Sequence, residues 1–167
     1  MSAGFPWAPN ALLIWRMDMK AHAATWDSGK GAELAGGRWN PKGFAVVYAS
    51  VDPSTALLEV AVHKGFDALD RVPHVVSCAE IADPAAVHIL DAGAIPNANW
   101  LRPGTPSHAQ QQFGKNLLQT HSFVAVPSAV LPLAWNILFN PTMASGKYRF
   151  RDRSDFALDT RLSPPSP

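Results

Sequence analysis

Charge is what this sequence has least of: 16% of its residues are Asp, Glu, Lys or Arg, against 47% hydrophobic ones, and the formal net charge is +1. A balance that near zero excludes a strong field for drawing nucleic acid to the surface, and the basic residues are spread rather than clustered. No Asp, Glu, Lys or Arg falls between Lys115 and Lys147. Pro127, Pro132 and Pro141, with Ser128 and Asn136, interrupt that stretch too often for a lipid-facing helix, so it reads as buried core and pocket wall. The single cysteine, Cys78, excludes an internal disulfide and a cysteine-based metal cage. The 6 histidines show no H-E-x-x-H and no close ligand spacing, so no metal site is expected. "MSAGFPWAPN" lacks the basic start and apolar core of a signal peptide, which leads to the expectation of an unprocessed cytoplasmic protein.

What is present fits one domain: 167 residues can bury a real core but are too few for two generous ones. "LLIWRM" from Leu12 and "FAVVYA" from Phe44 to Ala49 have strand composition, and His74 to Ile81 reads as another strand. Asp27 to Gly37 reads as a polar, glycine-bearing loop with a helical turn in it. Asp52 and Pro53 form a helix start and Gly65 its stop, which predicts a helix over "STALLEVAVHK". Ser107 caps a second helix over "HAQQQFGKNLLQT", and short strands are expected at Val87 to Leu90, Phe123 to Val126 and Ile137 to Phe139. Repeats, heptads and sustained strand-helix alternation are all missing, so the expected class is α+β, a mixed central sheet with flanking helices. The expected limits are an N-terminal extension over 1–11, a domain over 12–162 and a disordered proline-rich tail over 163–167.

Several chemistries can be tested against the motifs. The glycines before Arg38 satisfy neither nucleotide-binding pattern: Arg38-Trp39 stands where a P-loop shows Lys-Ser/Thr, and the third glycine of the dinucleotide fingerprint is missing. Arg38 itself reads either as a structural arginine on loop carbonyls or as a planar fork for phosphate or carboxylate. Glu59 has only apolar neighbours within three positions in "TALLEVAVHK". It is either one charge on a solvated helix face or a buried carboxylate in need of partners, with His63 one turn on as one such partner. Tyr48 is a core aromatic or a ring for stacking on a flat ligand. Ser128 is a turn residue, since no G-x-S-x-G elbow makes it a nucleophile, and Asn136 and Asn140 read most simply as anchors of turns. "KYRFRDR", from Lys147, alternates as a strand edge whose charges keep it solvated.

In order, "GKGAELAGGRWNPKG", "VVYAS", "ALLEVAVH", "VPSAV", "WNILFNP" and "FALDTRL" resemble the RES domain family, toxins of bacterial toxin-antitoxin pairs, from about Leu12 to Leu162. The resemblance implies a fold similar to the ADP-ribosyltransferase toxins and cleavage of the nicotinamide-ribose bond of NAD by phosphorolysis or hydrolysis. An alternative within the same pocket is ADP-ribosylation of a specific protein, and a second is a non-catalytic module in which Arg38 and Glu59 neutralise each other. The family's essential residues fall on Arg38, Tyr48, Glu59 and Ser128, with Arg16, Arg38, Tyr48, Ser128 and Asn136 on the side of NAD binding. NAD is then substrate, with no prosthetic group. The implied partner is an Xre-type antitoxin that covers the active site and carries any DNA binding, with inorganic phosphate or a protein as acceptor and a homodimer within the larger complex left open.

Overall fold

The computed structural model describes residues 7–8, 10–104 and 106–162. Seven strands, β1 (Leu12–Met19), β2 (Val47–Ser50), β3 (His74–Ile81), β4 (His88–Ile89), β5 (Val124–Pro127), β6 (Trp135–Phe139) and β7 (Tyr148–Phe156), lie in the order β4-β5-β6-β2-β1-β3-β7. Only β4 and β5 run parallel; the other neighbours are antiparallel. Pairing is uneven. Every residue of β1 faces one of β3, whereas β1 and β2 share the single pair Trp15↔Ser50. The sheet is thus two ladders, β4-β5-β6-β2 and β1-β3-β7, joined at a narrow seam.

Burial explains why the strands near the seam show no alternation in sequence. On β5 and β6, Val124, Val126 and Leu138 enter one core cluster with Trp39, Val46 and Trp100. Their neighbours Ala125, Ile137 and Phe139 enter another with Leu12, Ile14 and Phe123. A strand covered on both faces needs apolar residues at every position. The charge-free stretch is therefore core and loop. Among the described residues no helix is long and apolar enough to cross a membrane.

Among the described residues, four α-helices flank the sheet: α1 (Lys30–Ala35), α2 (Pro53–Lys64), α3 (Phe66–Arg71) and α4 (His108–Thr120). The Asp52 carboxylate accepts the Thr55 N–H at 2.8 Å, Pro53 takes the first turn, and Gly65, at φ 80°, ends α2. These are the stop and start signals read in the sequence. α3 was not foreseen. It follows Gly65 directly and buries only Leu69, a pattern too short to show helical periodicity.

One expectation is corrected: β2 begins at Val47, not at Phe44. The carbonyls of Phe44 and Ala45 accept the side-chain amides of Asn40 and Asn140, at 3.0 and 2.9 Å, instead of strand partners. The basic edge is as expected in kind: β7 ends the sheet, and Arg149 and Arg151 reach Glu80 on β3 at 3.3 and 3.2 Å. The expected disordered tail, 163–167, lies outside the described residues.

Candidate active site

At the seam, side chains from α2, β2, β6 and the turn after β5 converge on Glu59. Its Oε1 accepts the Ser128 hydroxyl at 2.7 Å and the Asn136 amide Nδ2 at 2.5 Å. Both donors meet on one oxygen, and Oε2 takes no part in this network. Glu59 is half-buried and His63 is exposed, so the solvated-face reading of Glu59 and its pairing with His63 both give way to a carboxylate held from the sheet. Two hydrogen bonds to a charged acceptor offset part of the cost of that burial.

Ser128 is fully buried, and its oxygen also accepts the N–H groups of Val130 and Leu131, each at 3.1 Å. With its lone pairs on the turn and its proton on Glu59, the hydroxyl acts as a fixed donor. It is therefore a turn residue and a carboxylate partner at once. Asn136 lies between Glu59 and Ser50: its Oδ1 accepts the Ser50 hydroxyl at 2.7 Å.

Arg38 reaches the site from the loop before β2. Its Nη1 donates to the Trp100 carbonyl, and Trp100 stacks obliquely on Trp39 with centroids 5.8 Å apart. Burial pulls the guanidinium below its ordinary range, and the charge of Glu59 acts in the opposite sense. Arg38 and Glu59 thus feel each other's field, yet each spends its close contacts elsewhere. The ion pair of the non-catalytic alternative is not formed. An anchored cation and an anchored anion remain, both half-buried and within reach of each other's charge.

The glycines before Arg38 have a local cause. Tyr48 donates its hydroxyl to Asn40 Oδ1 at 2.6 Å and accepts the Trp39 N–H at 3.1 Å. A Cβ on Gly37 would lie 2.5 Å from that hydroxyl oxygen and 2.7 Å from Asn40 Oδ1, so only glycine fits. Tyr48 therefore ties down the loop that carries Arg38, and burial pushes its phenol well above the ordinary range, keeping it neutral. Gln111 of α4 adds a bond from Nε2 to the Gly37 carbonyl at 2.9 Å.

Arg16 sits across the seam. Nε and Nη2 reach Asp18 at 3.1 and 2.8 Å, while Nη1 donates to the Tyr48 carbonyl at 2.7 Å, bridging the point where β1 and β2 part. Four participants escaped the sequence reading: Asn40, Ser50, Trp100 and Gln111. Asn40 carried a usable signal, since "WNP" and "FNP" both place an asparagine after an aromatic and before Pro41 or Pro141. The other three are contributed by chain distant from their partners. No group of three or more His, Cys, Asp or Glu side chains suited to a metal occurs among the described residues.

The RES domain family model matches residues 13–159. A protein named Toxin Res from Photorhabdus laumondii is 33% identical over 156 residues, covering 90% of this chain and 97% of that one. The Prs ADP-ribosylating toxin of a Sphingobium species is 31% identical over 140 residues, covering 80% and 85%. In three dimensions the chain is similar to one in the crystal structure of the M. tuberculosis MbcT-MbcA toxin-antitoxin complex, with TM-score 0.63 over 88% of this chain and 85% of that one. At 19% identity that likeness speaks for the fold, and it agrees with the expected α+β domain. By a match across nearly its whole sheet and by its curated relatives, the chain belongs to the RES domain family.

Proposed function

We propose that this chain is the toxin of a toxin-antitoxin pair and that it cleaves the bond between nicotinamide and ribose in NAD. The observation that carries the reading is the Glu59 carboxylate, held on one oxygen by Ser128 and Asn136, with the anchored Arg38 cation close enough for their charges to interact. Loss of nicotinamide develops positive charge on the ribose, an oxocarbenium-like state that a fixed carboxylate stabilises. Glu59 Oε2, outside the network, is the oxygen turned to that work. Nicotinamide leaves neutral from a cationic precursor, so no strong general acid is needed. Arg38 holds pyrophosphate or an attacking phosphate by charge-assisted bonds, and Tyr48 keeps the Arg38 loop in place.

Attack by phosphate yields nicotinamide and the 1-phosphate of ADP-ribose; attack by water yields nicotinamide, ADP-ribose and a proton. A second reading, transfer of ADP-ribose to a protein, is favoured by the relative named as an ADP-ribosylating toxin. The partner is an antitoxin, of Xre type, that covers the site and leaves the protein cytoplasmic and inactive until released. Support comes from the toxin-antitoxin complex among the solved structures of this fold. Mass spectrometry after incubating the purified chain with NAD, with and without phosphate, separates the outcomes. Free nicotinamide with either soluble ribose product supports the first reading; free nicotinamide with ADP-ribose found only on protein supports the second; intact NAD overturns both.

A further inference from the structure

Ser50 is 3% exposed and stands at the one registered pair between β2 and β1, opposite Trp15. Across the other edge of β2 it faces Asn136 of β6 directly, so their side chains leave the same face of the sheet. The Ser50 hydroxyl donates to Asn136 Oδ1 at 2.7 Å, and Asn136 Nδ2 donates to Glu59 Oε1 at 2.5 Å. A side-chain amide can turn over about its last torsion, and the turned form would set an oxygen against the Glu59 anion. The Glu59 charge selects the orientation in which the N–H group meets the carboxylate, and the Ser50 hydroxyl fixes the far end of that amide. The bonds run one way, from Ser50 through Asn136 to Glu59, ending on the charge.

We infer that Ser50 is a positioning residue for Glu59, acting through Asn136. It links the backbone seam of the sheet to the carboxylate on α2 without touching either oxygen of that carboxylate. The inference rests on the reading that Glu59 carries the chemistry. Its geometric core, that Ser50 sets the Asn136 amide, stands apart from any activity.

Three measurements on Ser50→Ala test it together. In nicotinamide release, kcat falls about tenfold, as for loss of one net hydrogen bond, with KM for NAD within about twofold of the native value. In an Asn136→Ala background the same change has no further effect, whereas a packing role would lower activity and melting temperature independently of Asn136. In the crystal structure of Ser50→Ala, the Asn136 side chain shifts from its native position beside Glu59. An Asn136 side chain unmoved from its native position, an undiminished kcat, or losses additive with Asn136→Ala overturns the inference. Ser50→Cys, somewhat larger and a weaker donor, gives the same three readouts should the alanine variant fold poorly. If the native chain releases no nicotinamide, the NAD reading fails, and the crystal structure alone decides the role of Ser50.

Discussion

Tyr48 makes two hydrogen bonds through one buried oxygen, and both end on the loop that delivers Arg38. Tyr48→Phe keeps the ring and leaves the Trp39 N–H and Asn40 Oδ1 without that partner. An unpaired buried polar group costs about 1–3 kcal/mol, so the variant should melt lower and lose activity because Arg38 loosens. Denaturant titration against the native chain measures the first effect, and unchanged stability would show the hydroxyl to be idle. At this scale the sequence was half legible. Arg38, Tyr48, Glu59 and Ser128 could be singled out as residues, but not their contacts. The partners of Glu59 lie 69 and 77 positions away, beyond any local pattern.

Among the elements, α4 is seated closely on the loop that carries Arg38. A Cβ on Gly114 would come within 2.2 Å of the Trp39 carbonyl oxygen, so the helix rests on the backbone next to Arg38. In an exposed helix, glycine to alanine gains about 1 kcal/mol. Here the contact is backbone rather than a flexible side chain, and the clash outweighs the gain. Gly114→Ala should therefore lower the melting temperature as well as activity; a rise would mean that the helix is not seated there.

The far end of α4 adds a pH effect. His121 stacks on His88 of β4 with ring centroids 4.1 Å apart, and burial first, then the neighbouring ring, lowers the His88 pKa. A base whose folded pKa is depressed favours folding while neutral, so its contribution is present above about pH 6.5 and is lost as pH falls through the folded value. Thermal melts from pH 7.5 to 5.5 should show that loss in the native chain and less of it in His88→Phe, which keeps a ring to stack; equal slopes would exclude His88 as the source. The long elements were legible because their signals are local, as at Asp52, Pro53 and Gly65. The start of β2 was not, because two asparagine side chains settle it from Asn40 and Asn140.

Over the whole molecule, two ladders meet through one backbone pair, and Arg16 reinforces the join by bonding the Tyr48 carbonyl from β1. Arg16→Ala should cost about 1–3 kcal/mol and speed amide exchange in β2 while β1-β3 amides stay protected. Uniform exchange across both ladders would show that the seam is not a separate weak point. The α+β class was legible from composition and element order, whereas the split was not, because pairing between distant strands leaves no local mark. The low charge of the sequence also has a surface counterpart: Val62 of α2 and Leu133, after the Ser128 turn, are 62% and 90% exposed. Both lie near the elements that carry Glu59 and its partners, where the proposed antitoxin would find apolar surface.

The most direct test of the account is the rate of nicotinamide release from NAD by Glu59→Gln beside the native chain, with folding checked by circular dichroism. The amide keeps the shape of Glu59 and removes the charge that the oxocarbenium-like state requires. A folded variant slowed by at least about 100-fold is the expected result. A folded Glu59→Gln that releases nicotinamide at the native rate would contradict the account at its centre.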